Sequence, residues 1–109
     1  MRVSSWKFMG KSEVDINCTF GINLGKKNRS TYFKGLNAAT VEIEGKDYVF
    51  SLARKNFWTT CPELRDTDVI GGGTPIRDML ERLGSLTWTK GKPRHFELKL
   101  LSGGRLMLS

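Results

Sequence analysis

From Glu13 to Leu24 the chain alternates without a break. Val14, Ile16, Cys18, Phe20, Ile22 and Leu24 are apolar, and Asp15, Asn17, Thr19, Gly21 and Asn23 lie between them. A period of two puts every apolar member on one face of a pleated strand. Gly25 to Arg29 reads as a turn, and Ser30 to Leu36 as a returning strand in which Tyr32 and Phe33 suit a sheet. Ahead of these, Trp6 and Phe8 alternate with Lys7, which predicts a shorter strand over residues 3–9.

The next segment predicts a hairpin. Gly45-Lys46 suits a two-residue type II′ turn, because glycine tolerates the positive φ at the first position. That register pairs Ile43 with Tyr48, Val41 with Phe50 and Ala39 with Leu52, all on one face. Arg54 to Asp68 is less regular. Thr60-Cys61-Pro62-Glu63 has the form of a capping box opening one turn of helix, and Gly71-Gly72-Gly73 forms a loose connection.

One helix is expected over 75–83. Thr74 is placed as N-cap and Pro75 as first helical residue. Ile76, Met79, Leu80 and Leu83 form an apolar stripe, Asp78 and Arg82 an i,i+4 pair, and Gly84 a left-handed stop. The chain closes with a hairpin over 95–101 and 105–108. A three-residue loop, Ser102 to Gly104, pairs Leu100 with Leu106 and Leu98 with Leu108 and gathers Phe96 with these leucines. The expected core is Val14, Ile16, Cys18, Phe20, Ile22, Val41, Ile43, Tyr48, Phe50, Leu52, Ile76, Met79, Leu80, Leu83, Leu98, Leu100 and Leu106.

These elements give an α+β fold. About six strands, mostly in hairpins, form a mainly antiparallel sheet or a partly closed small barrel, with the helix at 75–83 before a C-terminal hairpin. The order of strands, helix and final strand pair resembles that of small DNA-binding pseudobarrels, although no motif ties the chain to one family. A length of 109 residues suits a single domain over 1–109. With 39% hydrophobic and 27% charged residues, the composition is that of a globular chain and not a disordered one. No apolar run approaches the ~20 residues of a membrane span. Trp6 and Phe8 stand singly among polar residues, so no signal peptide is read. Two cysteines and no export signal make a reducing cytoplasm the expected compartment.

Catalytic chemistry finds little support. The single histidine, His95, follows Lys90-Gly91-Lys92-Pro93-Arg94 with no adjacent carboxylate to orient it. Cys61 precedes Pro62 and would need His95 nearby to act as a nucleophile, which nothing local supports. Three Cys and His residues in all fall short of a tetrahedral zinc site. Asp66 and Asp68 flank Thr67 as a solvated pair without the further oxygens of a calcium loop. Gly71-Gly72-Gly73-Thr74 leads into a helix but lacks the Lys-Ser/Thr of a phosphate-binding loop. The expectation is a non-enzyme without cofactor or metal.

Charge changes the picture. The net charge is +7, from 18 Lys and Arg against 11 Asp and Glu. Ile16 to Val41 contains no acid but holds Lys26, Lys27, Arg29 and Lys34. Arg82 to Phe96 again has no acid, and Lys90, Lys92 and Arg94 are interleaved with Trp88 and His95. Cations neutralise phosphates, and aromatic faces stack on unpaired bases. Lys26, Lys27, Arg29, Lys34, Trp88, Lys90, Lys92, Arg94 and His95 are therefore the candidate nucleic-acid contacts, for DNA or RNA. The alternative partner is an acidic protein bound by the same surface.

Overall fold

A computed structural model describes residues 1–8 and 19–109. The first strand, β1 (Arg2–Phe8), pairs antiparallel with β2 (Thr19–Asn23) on one side and with β6 (His95–Leu100) on the other. The remaining strands are β3 (Ala38–Ile43), β4 (Lys46–Ser51), β5 (Glu63–Arg65) and β7 (Leu106–Leu108). The sheet order is β4-β3-β7-β6-β1-β2-β5. All neighbours are antiparallel except β3 and β7, which run parallel with Val41 opposite Leu106. A bridge between Phe50 and Val69, and the Ile70 N–H donating to the Val49 carbonyl at 2.8 Å, nearly close the sheet into a barrel. This is the expected α+β fold, with seven strands among the described residues rather than about six.

The inward residues fill the barrel. Ile22, Val41, Ile43, Phe50, Leu64, Ile76, Leu98 and Leu108 leave about 10 Å³ between them, too little for any ligand. Helix α2 (Pro75–Arg82) stops one residue short of the expected end and buries Ile76, Met79 and Leu80. Leu83 falls at its C-cap and is 43% exposed, so the stripe ends at Leu80. Leu100 lies at the last residue of β6 and is 56% exposed, which also removes it from the expected core. Tyr48 is half-buried against the core. Of the remaining expected core, Phe20, Ile22, Val41, Ile43, Phe50, Leu52, Ile76, Met79, Leu80, Leu98 and Leu106 are buried. Val14, Ile16 and Cys18 lie outside the described residues.

Local turn chemistry corrects one register. The β3–β4 turn is Glu44-Gly45, with φ of 51° and 82°, so it is of the I′ kind and pairs Ile43 with Lys46. Val41 then faces Tyr48, and Ala39 faces Phe50. The shift from the expected pairing is by two residues, so every side chain keeps its face. This register sets Glu42 opposite Asp47, and Arg105 answers both carboxylates at 3.2 and 2.8 Å. The C-terminal hairpin has the expected pairs, Leu98 with Leu108 and Leu100 with Leu106.

Two further expectations fail. Residues 26–32 form helix α1 (Lys26–Tyr32), not a turn and a returning strand. No residue of α1 is buried, so apolar pattern could not reveal it. Tertiary contacts hold it instead. Asn28 donates to the Leu24 carbonyl at 2.9 Å, Arg29 donates to the Phe57 carbonyl at 2.8 Å, and Phe33 just beyond is fully buried. The proposed helix at Thr60–Glu63 is absent. Lys55–Phe57 makes one turn of 3₁₀ helix, and Glu63 opens β5, whose Leu64 enters the core.

Candidate nucleic-acid interface

Alternation along β1 sorts its side chains. Val3 and Ser5 point inward, and Arg2, Ser4, Trp6 and Phe8 point outward. Pairing extends this outer face across neighbouring strands. Glu63, Asn23, Ser4 and His95 form one row across β5, β2, β1 and β6, and Arg65, Gly21 and Trp6 form the next. Two adjoining open depressions, together a shallow groove, follow these rows. One section, of about 350 Å³, is lined by Arg2, Ser4, Asn23, Gly25 and His95 among others. The other, of about 640 Å³, is lined by Trp6, Phe8, Lys26, Cys61, Glu63 and Arg65 among others. Asn23 and Gly25 belong to both sections.

The floor is built around a glycine. A Cβ at Gly21 would lie 2.5 Å from the Leu64 carbonyl oxygen and 3.0 Å from Trp6 Cε3. Only glycine lets the indole settle across β2. Arg65 stands with its guanidinium 4.6 Å from the Trp6 ring centroid. Glu63 fixes that arginine through bonds at 3.0 and 2.5 Å. Glu63 is itself buried, and Arg54 lies 3.9 Å from the same carboxylate oxygen. Among the described residues the groove thus carries Arg2, Lys26, Arg65 and His95, and the one carboxylate lining it, Glu63, is paired.

Of the residues singled out in the sequence, Lys26 and His95 line this groove. Lys27 and Lys34 are exposed on and after α1, and Arg29 is spent on the Phe57 and Thr59 carbonyls at 2.8 and 3.4 Å. Lys90 and Lys92 are exposed in the turn before β6. Arg94 donates to Ser85 Oγ at 3.0 Å and lies 5.7 Å from the Phe96 ring. Trp88 is partly buried against the core with Leu86, and Lys7 Nζ lies 4.3 Å from its ring centroid. Arg2, Trp6, Phe8, Asn23 and Arg65 are groove residues that the sequence did not single out. Their only sequence signal was an aromatic pair at period two.

The acidic loop serves the fold. Asp66 is buried and accepts the N–H groups of Ile76 and Arg77 at 2.9 and 3.0 Å. It caps α2 from ten residues upstream, and Thr74, the expected cap, donates instead to the Asp78 carboxylate at 3.1 Å. Burial pushes the Asp66 carboxyl up to about 6, against the pull of those two backbone bonds. With this carboxylate seated on the helix N-terminus, the glycine run before α2 presents no phosphate cradle. Asp68 accepts the Arg65 N–H at 3.1 Å and faces Arg54 at 3.4 Å. Arg82 reaches Glu44, at 2.9 and 3.0 Å from its Nε, rather than the expected Asp78. Their hydrogen bond holds the Glu44 carboxyl below its usual value.

Among the described residues no three His, Cys, Asp or Glu side chains gather as a metal would need, and no helix is long and apolar enough to cross a membrane. Cys61 Sγ lies 3.5 Å from Thr60 Oγ1 in the wider section, while His95 lines the narrower one. No family model, curated protein or solved structure matches the chain.

Proposed function

We propose that this domain binds nucleic acid without catalysis, through the groove across the outer face of β1 and β2. The observation that carries the reading is the conjunction of two outward aromatics, Trp6 and Phe8, with Arg2, Lys26, Arg65 and His95 around one groove. Arg2 and Lys26 there supply the cations that follow a phosphate backbone. The net charge of +7 supports the same reading, since exposed Lys27, Lys34, Lys90 and Lys92 add to the field that draws a polyanion.

Amide chemical-shift mapping with a short oligonucleotide tests this directly. Perturbations are expected at residues 2–8, 19–26, 63–65 and 95. Shifts confined to other faces would move the site. No shifts with oligonucleotide, and shifts with an acidic polypeptide instead, would replace nucleic acid by a protein partner.

A further inference from the structure

We infer that Arg2, Ser4, Asn23 and His95 form an oxyanion subsite in the narrower depression, which holds one phosphate group and holds it more tightly when His95 is protonated. This rests on the nucleic-acid reading and deepens it, by placing one phosphate and naming what governs its hold.

Most arginines of the chain are already engaged. Arg29 donates to the Phe57 carbonyl, Arg94 donates to Ser85 Oγ, and Arg54, Arg65, Arg82 and Arg105 are tied to carboxylates. Arg77 also has a partner. Among the described residues, Arg2 is the arginine whose guanidinium has no bond, ion pair or ring contact within the chain. It is exposed on the outer face of β1, two residues from Ser4. His95 stands opposite Ser4 in the β1–β6 pair. Arg2 and His95 are therefore diagonal neighbours, roughly 7–8 Å apart in the backbone and within reach of one small ligand. Asn23 stands opposite Ser4 on the other side. Its Oδ1 accepts the Gly25 N–H at 3.0 Å, which leaves the amide NH2 to donate elsewhere. A guanidinium, a hydroxyl, an amide and an imidazole thus line about 350 Å³, with no carboxylate among the lining residues. That set offers donors and a fixed positive charge to the oxygens of a phosphate.

His95 couples the subsite to pH. Imidazole gains its charge between about pH 8 and 5, and both ring nitrogens donate once it does. The charged groups around His95 are Arg2 on β1, Arg94 before it in the chain, and Glu97 beyond it on the same face of β6. Glu97 is engaged by the Met1 amino group at 2.8 Å, and Arg94 by Ser85 Oγ. An oxyanion between Arg2 and His95 therefore gains a second charge-assisted bond when the imidazole takes up its proton.

The test follows the His95 ring protons by NMR from about pH 8 to 5. The additions, at one ionic strength, are chloride, inorganic sulfate, and an oligonucleotide without terminal phosphates. Sulfate is a tetrahedral dianion that keeps its charge throughout. Relative to chloride, sulfate and oligonucleotide should each raise the titration midpoint by about 0.5–1 pH unit. By reciprocity that is about three- to tenfold tighter binding to the protonated form. Arg2→Ala should remove most of the rise, and Lys46→Ala, which lines neither depression, should leave it intact. A rise with the oligonucleotide assigns the subsite to backbone phosphodiesters. A rise with sulfate alone keeps the subsite and assigns it to a small phosphate ligand. No rise with either addition, or an undiminished rise in Arg2→Ala, overturns the inference. If the oligonucleotide then still shifts amides elsewhere along the groove, the nucleic-acid reading stands. If it shifts none, both fall.

Discussion

Trp6 lies across Gly21, and the two residues face each other in the β1–β2 register with no room for a methyl group between them and β5. Gly21→Ala would drive its Cβ against the Leu64 carbonyl at 2.5 Å, and backbone cannot swing aside as a flexible side chain can. A loss of roughly 1–3 kcal/mol is expected, as for other overpacked sites. Urea denaturation reads it. Unchanged stability would show that β2 and β5 separate freely, and that the floor of the groove is not fixed by this contact.

Leu80 anchors α2 in the hydrophobic core, with no exposed surface. Leu80→Ala should cost roughly 2–5 kcal/mol, the range for a large core residue that leaves a partly relaxed cavity. Thermal or chemical unfolding checks it. A loss well under 1 kcal/mol would mean that α2 is not packed as described.

The Asp66 cap makes a statement about pH. Its carboxyl titrates near 6 in the folded protein against 3.8 for an ordinary aspartate. The folded state therefore holds this proton more tightly than the unfolded chain. The contribution from this group is fully present below pH 3.8 and is lost as pH rises through about 6. Relative to Asp66→Asn, whose side chain does not titrate, the wild type should lose stability between these values as pH rises. A relative gain over the same window would contradict the assignment. Asp66→Ala removes the acceptor for two N–H groups and should cost about 2 kcal/mol.

How much of this was legible depends on how local the determinants are. The hairpins β3–β4 and β6–β7 carry their own turns, so the sequence located both and sorted their faces. Helix α2 showed its stripe and its Pro75 start, but not its cap, because Asp66 sits beyond a glycine run. Helix α1 had no apolar face to show, and Phe33 and Tyr32 suggested a strand. The parallel β3–β7 pair joins segments far apart in the chain, which no local pattern encodes. The same limit governed the groove. Lys26 and His95 stood out as members of acid-free stretches. Trp6, Gly21 and Arg65 come from three strands, and only their pairing makes them one row.

The measurement that bears most directly on the proposed interface is the salt dependence of oligonucleotide binding in two variants of equal charge. One is Arg2→Ala with Lys26→Ala, both in the groove. The other is Lys46→Ala with Lys99→Ala, which line neither section. Each phosphate contact contributes roughly 0.7–0.9 to the slope of log K against log salt. The groove variant should lose roughly 1.4–1.8 of that slope, and the control variant should keep nearly all of it. Equal losses in the two variants, or no binding by the wild type at low salt, would contradict the groove as a nucleic-acid site.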